Sequence, residues 1–141
     1  MQKVEPRRMP LYIFGLDGTL VKWEKQEPNW PLVGLYVQLY SVGLDLQIWT
    51  GRAESMMEET VMTLFRSTTI RPDILFRQLK MRTVEEDHRD DDELKHHWLK
   101  TMKMEDRTRI AAVFESEDDT VKMWRNEGLC CMQVAEAGHL I

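Results

Sequence analysis

Residues Tyr12–Leu20 read YIFGLDGTL. The apolar run from Leu11 into Gly15 is short and stops at a small, acidic turn segment, which predicts a buried strand. The rest of the chain repeats that rhythm. Residues Val21–Pro31 carry Pro28, Pro31 and mixed charges and read as a loop. A helix is expected to begin near Pro31, because proline suits the first turn. It places Leu32, Leu35, Tyr36, Leu39 and Tyr40 on one face, with Gly43 as its C-terminal cap. LDLQIWT (Leu44–Thr50) is expected to form a second strand, with Gly51 as the turn after it. Ala53–Phe65 is expected to be a helix whose Met56, Met57, Val61 and Leu64 face inward, the methionines filling core space.

Pro72 breaks the pattern, and Asp73–Met81 is expected to hold a third strand in ILF, Ile74–Phe76. Asp90–Met104 reads as a helix with an acidic first turn, which suits the helix dipole, and with Leu94, Trp98 and Met102 inward. RIAAVFE (Arg109–Glu115) is the fourth expected strand. Asp118–Glu127 is the fourth helix, closed by Gly128, and LCCMQV (Leu129–Val134) is the fifth strand. Strands alternating with helices predict an α/β three-layer sandwich around a five-stranded, mostly parallel sheet with right-handed crossovers. Ligands of such sheets bind beyond the carboxyl ends of the strands. The informative residues are therefore Gly15–Thr19, Thr50–Arg52, Lys95 and Glu115–Asp119.

The composition fits this reading. The chain has 141 residues, 43% hydrophobic and 30% charged, which suits a single domain over 1–141 with a core of about 10–137. No apolar run is long enough to span a membrane, and MQKVEPRRMP lacks the apolar stretch of a secretory signal. Cys130 and Cys131 are adjacent and poor disulfide partners, so a reducing, cytoplasmic setting and buried packing roles are expected. A formal charge of −5 is not that of a strong nucleic-acid binder. His88, His96, His97 and His139 have no metal-ligand spacing. The run Glu85–Glu93 reads as a solvated face that could also dock on a basic patch of a partner. Trp23 and Trp30 lie in the first loop, where they could form a lid, a stacking surface, an interface anchor or simple packing.

Four segments occur in a telling order: FGLDGTL, WTGR, the Asp87-x-Arg89-x-Asp91-x-x-Leu94-Lys95 stretch and VFESEDDTVKMWRNEGLCCMQV. Together they resemble the haloacid dehalogenase superfamily, and in particular the 3′-phosphatase domain of bacteriophage polynucleotide kinase/phosphatase. The resemblance implies a nucleophilic, metal-binding Asp and, two residues on, a general acid/base. Here the first position is Gly15 and the second is Asp17, whose backbone carbonyl would also meet the metal. It further implies phosphate binding by Thr50, Gly51 and Lys95, substrate or phosphate contact by Arg52, and metal ligation where Glu115 and Ser116 stand. Asp118 and Asp119 lie at the helix start, as capping residues or as further metal ligands. Thr50, Arg52 and Lys95 could equally persist for structure alone.

Glycine has no side chain to attack phosphorus or bind magnesium, and serine does not replace an Asp. Three accounts of Gly15 stand: natural loss, an engineered knock-out, or chemistry moved to other residues. The resulting expectation is a catalytically degenerate, phage-encoded phosphatase-like protein in the host cytoplasm. It has no large cap and no required cofactor, and it binds a host protein of nucleic-acid metabolism. The alternatives are a magnesium-dependent polynucleotide 3′-phosphatase and a sensor of nucleotide or phosphate that holds a nucleic-acid 3′ end. No membrane partner is expected.

Overall fold

The computed structural model describes residues 9–83 and 87–135. The expectations for MQKVEPRR, for Glu85 and Glu86 of the acidic run, and for His139 fall outside those residues. The elements run β1 (Leu11–Phe14), α1 (Trp30–Ser41), β2 (Asp45–Ala53), a 3₁₀ turn (Glu54–Met56), α2 (Met57–Thr68), α3 (Pro72–Gln78) and β3 (Leu79–Arg82). They continue with α4 (Asp91–Thr101), α5 (Met104–Arg107), β4 (Ile110–Glu115), α6 (Asp118–Asn126) and β5 (Cys131–Gln133). The five strands form one sheet in the order β3-β2-β1-β4-β5, and every pairing is parallel.

Strand alternation sends side chains to two separate cores. Phe14, Ile48 and Phe114 face one side, where Tyr36 of α1, Leu64 of α2 and Leu75 of α3 cover them. Ile13, Trp49 and Val113 face the other, under Leu99 of α4 and Trp124 of α6. Phe14 stacks on Phe114 at 4.6 Å, and Trp49 meets Trp124 at 5.3 Å. Apolar helix stripes on both faces of a sheet leave the strand ends as the open edge of the sandwich. Residues 15–29 connect β1 to α1 as a loop without a helix, pinned by bridges of Val21 to Asp17 and Pro28. No helix among the described residues is long and apolar enough to cross a membrane.

Several expectations are corrected. ILF is helical: Pro72 opens α3, Leu75 is buried, Ile74 is half-buried and Phe76 is exposed. A short apolar run does not distinguish a strand from a buried helical turn. The third strand is instead LKMR, where buried Leu79 and Met81 alternate with exposed Lys80. β2 runs through Gly51 to Ala53, past the expected turn, with a register shift against β3. The following helix therefore starts later, and Met56 is exposed instead of inward. The helix at Asp90–Met104 is two, α4 and the short α5, with Met102 ending the first.

Of the two cysteines, Cys131 is buried but Cys130 is exposed. Burial, followed by the charge of Glu115, pushes the Cys131 thiol up to about 11. Since the thiolate is the reactive form, iodoacetamide at pH 8 is expected to label Cys130 alone in the folded protein. Mass spectrometry of the digested product reads this directly, and equal labelling of both would contradict the packing.

Candidate functional site

The turn after β1 is built by Leu16, whose carbonyl accepts hydrogen bonds from the amides of Thr19, Leu20 and Val21. Gly18 sits at φ +83°, and a side chain there would also strike the Trp23 indole and the Ser116 hydroxyl. This is a position where only glycine fits. The turn aims Asp17 at β2. There Arg52 donates to both carboxylate oxygens, from Nε at 2.9 Å and from Nη2 at 2.6 Å. The guanidinium also reaches Thr60 Oγ1 at 3.3 Å and the Gln26 side-chain oxygen. A bidentate fork of this kind is among the stronger charge-assisted contacts. Ser116 Oγ donates to the backbone carbonyl of Asp17 at 3.2 Å.

The second pair lies deeper. Lys95 reaches in from α4 and Glu115 from the end of β4, and Lys95 Nζ donates to Glu115 Oε2 at 2.9 Å. Both residues are only 4% exposed. Trp124 Nε1 approaches the same oxygen at 3.4 Å. The other oxygen, Oε1, lies beside Gly15, 2.5 Å from where a β-carbon at residue 15 would be. An aspartate's own carboxylate oxygen sits about 2.4 Å from its β-carbon, from standard bond lengths. Glu115 thus brings a carboxylate from β4 into space that a side chain on β1 would otherwise fill. Parallel pairing in register, Phe14 with Phe114, sets the two strand ends side by side.

The third contact involves Asp91, in the first turn of α4. Its carboxylate lies so close to Gly51 that any β-carbon there would overlap it, at 1.9 Å. Arg82 holds Asp91 at 3.3 Å and also donates to the Gly51 carbonyl at 3.0 Å. Arg82 Nη1 donates to the Asp87 carbonyl as well. The Arg89 guanidinium, through its hydrogen bonds, holds the Asp87 carboxyl below the usual carboxylate range. At the rim, partial burial and then the neighbouring Asp91 raise the Glu117 carboxyl above its ordinary value.

Asp17, Thr50, Gly51, Lys95, Glu115 and Ser116 all border one small cleft, as does Trp23. The expected site residues are therefore brought together, with Gly15 and Arg52 next to them. The Thr50 hydroxyl is turned toward its own strand, accepting the Arg52 amide at 3.2 Å. Asp118 and Asp119 are exposed in the first turn of α6 and do not border the cleft; Asp118 accepts a hydrogen bond from Gln133 at 2.6 Å. Trp30 is exposed at the start of α1 and away from the cleft lining. The cleft has a volume of about 20 Å³, room for about one water. Among the described residues, no three His, Cys, Asp or Glu side chains converge as a metal site.

Gln26, Arg82 and the position of Asp91 over Gly51 were not legible in the sequence. Gln26 belongs to a loop and adopts φ +55°, and nothing local marks it as a partner of Arg52. The spacing of Asp87, Arg89 and Asp91 was visible as a pattern, but its anchor, Arg82, lies on a strand read elsewhere.

Solved structures share the fold, among them two complexes. One is titled "Structure of the Pnkp1/Rnl/Hen1 RNA repair complex", the other "Structure of Pnkp1/Rnl/Hen1 complex". Each superposes with TM-score 0.70 at 23% identity, over 89% of this chain and 42% and 46% of theirs respectively. The chain thus spans less than half the length of those proteins. No curated protein matches it. The family described as the phosphatase domain of polynucleotide kinase PNKP matches residues 10–139, nearly the whole chain. The chain belongs to that family, a phosphatase-type branch of the haloacid dehalogenase superfamily.

Proposed function

We propose that this domain has lost the hydrolytic chemistry of its family and acts by binding a protein. The observation that carries this reading is the Glu115 carboxylate, seated beside Gly15 and paired with Lys95. By family likeness, the position of Gly15 belongs to the attacking aspartate, and Lys95 to phosphate binding. Here each cation of the cleft already has an anion of the chain itself: Lys95 has Glu115 and Arg52 has Asp17. A phosphoryl group would have to displace those carboxylates and enter a space of about 20 Å³. A phosphate or nucleotide sensor meets the same obstacle.

Magnesium fits the donors poorly. It wants near-octahedral oxygen ligands, usually including one or two carboxylates. Of the carboxylates that line the cleft, Asp17, Asp91 and Glu115 are each held by a cation of the protein, and Glu117 stands at the rim. A second reading has one observation in its favour: Glu115 Oε1 lies 2.5 Å from where a β-carbon at residue 15 would be, so Glu115 could stand in as nucleophile. Its ion pair and the closed cleft weigh against in-line approach of a substrate, which needs reacting atoms about 3–3.5 Å apart.

The partner we infer is a protein of nucleic-acid metabolism, and the source a phage acting on its host. The family likeness supports the first, as does a structural neighbour solved within an RNA repair complex, and the likeness of the sequence motifs to a bacteriophage phosphatase domain supports the second. The test is hydrolysis of a 3′-phosphorylated oligonucleotide, with and without magnesium, alongside titration calorimetry with a nucleoside 3′-phosphate. The expected result is release of phosphate at the buffer rate and no heat of binding. Magnesium-dependent turnover by the unmodified chain would overturn the reading, and heat without turnover would favour the sensor.

A further inference from the structure

We infer that the trough between α2 and α3 receives an amphipathic helix of a partner protein, apolar on one face and basic along one flank. The inference rests on the reading of the domain as a binding module, and it gives that module a surface and a partner chemistry. The trough is open, with a volume of about 940 Å³. Met57, Val61, Met62, Pro72 and Phe76 supply its apolar lining. Phe76 is 58% exposed there and Met62 39%. A single exposed apolar side chain is ordinary, but a continuous apolar trough marks a contact surface.

The local sequence explains why it stays uncovered. α3 spans only Pro72–Gln78 and spends Leu75 on the core, so Phe76 points away from it. α2 buries Val61 and Leu64 below, which leaves Met57 half-buried and Met62 exposed along its outer side. Methionine side chains repack easily and suit a surface that accepts another helix.

Charge selects the occupant. Glu54 and Glu58 border the trough and are exposed. Neither has an ion-pair partner among the described residues, whereas Asp73 across the trough is outnumbered by Arg71 and Arg77, which leaves that wall with an excess cation. The uncompensated charge on the α2 side is therefore negative, on a chain whose formal charge is already −5. Phosphate backbones and anionic lipid surfaces are repelled by such a rim. A basic flank on a partner is attracted.

Geometry selects a helix. The walls are helical side chains, with no strand edge in the lining to hydrogen-bond an extended peptide. A segment that satisfies its own backbone fits this setting, in the helix-in-groove manner. α2 is 12 residues long, or about 18 Å at 1.5 Å per residue. The matching partner helix is about three turns, with apolar anchors at i, i+3, i+4 and i+7.

The test uses the full chain and a displayed library of helix-forming 16-residue peptides. The apolar face is randomised, and the flank is either lysine-rich or glutamate-rich. Selected peptides are then synthesised and titrated by fluorescence anisotropy. The expected winners carry the lysine-rich flank. Phe76→Ser is expected to weaken them about tenfold or more, as loss of an aromatic anchor does. The double charge reversal E54K/E58K is expected to weaken them as well and to favour the glutamate-rich set. Phe76 is exposed, so its variant should keep the melting temperature of the unmodified protein, whereas E54K/E58K sets lysines just before and within the first turn of α2 and should lower it slightly.

The proposal is overturned if no peptide is enriched, if glutamate-rich peptides win, or if neither variant alters binding. A dimer in sedimentation that Phe76→Ser abolishes would give the trough to a second copy and also overturn it. Oligonucleotide hydrolysis by the unmodified chain would fail the non-catalytic reading while leaving the peptide result intact. An inert protein that enriches no peptide would fail the trough alone.

Discussion

Lys95→Met is expected to lower folding stability by about 3–5 kcal/mol, the usual cost of removing one partner from a buried ion pair. Glu115 would then be a buried carboxylate facing Gly15, with the indole N–H of Trp124 as its remaining neighbour at 3.4 Å. The double variant Lys95→Met/Glu115→Leu removes both charges at similar volume and is expected to return close to the unmodified protein. Replacing a buried pair by apolar side chains is often neutral or better. Urea denaturation of the three proteins reads both outcomes. A single variant within about 0.5 kcal/mol of the unmodified protein, the range of ordinary surface substitutions, would mean that water reaches the pair. The cleft would then be open to ligands, and the case against phosphate binding would weaken.

The second large effect concerns restoring the family's acidic residues. Gly15→Asp alone is expected to stay inert and to lose about 1–3 kcal/mol of stability, as overpacked cores do. Its β-carbon would meet Glu115 Oε1 at 2.5 Å and Thr19 Oγ1 at 3.1 Å. The end of a glutamate can usually swing aside, but this one is held by Lys95 in a buried setting. Gly15→Asp/Glu115→Asp/Ser116→Asp shortens the obstructing side chain while rebuilding both acidic positions. A nucleophile is worth on the order of 10⁴–10⁶ in rate. Even a site rebuilt to about one per cent efficiency should therefore hydrolyse a 3′-phosphorylated oligonucleotide some 10²-fold or more above background, with magnesium present. A triple variant that folds, binds magnesium and remains at background would place the cause of inactivity elsewhere. Activity in Gly15→Asp alone would show that Glu115 yields, and that the two positions are not exclusive.

These two experiments probe one exchange. Residue 15 carries no side chain, and the Glu115 carboxylate reaches across from β4 to within 2.5 Å of where its β-carbon would be. Lys95 pairs with that carboxylate, and the cleft beside them holds about 20 Å³. The apolar trough on α2 and α3 lies outside this arrangement and does not depend on it.

The sequence by itself carried the alternation of strands and helices, the parallel sheet and the gathering of Asp17, Thr50, Lys95 and Glu115 at one end. The alternation follows from local periodicity, and the gathering of the site from the order of the family's motifs, with Asp17 just after β1, Thr50 and Glu115 near the ends of β2 and β4, and Lys95 on α4. It also misread ILF as a strand, because a run of three apolar residues fits a sheet or one turn of a helix equally well. Only tertiary structure decided that Leu79 and Met81 form the edge strand and that Asp91 lies over Gly51. Only tertiary structure paired Arg52 with Asp17 and set Glu115 beside Gly15. Such contacts are fixed by the register between strands and by helices packed across them. Register is a property of segments distant in the chain, so no local pattern announces which side chain will occupy the space a glycine leaves.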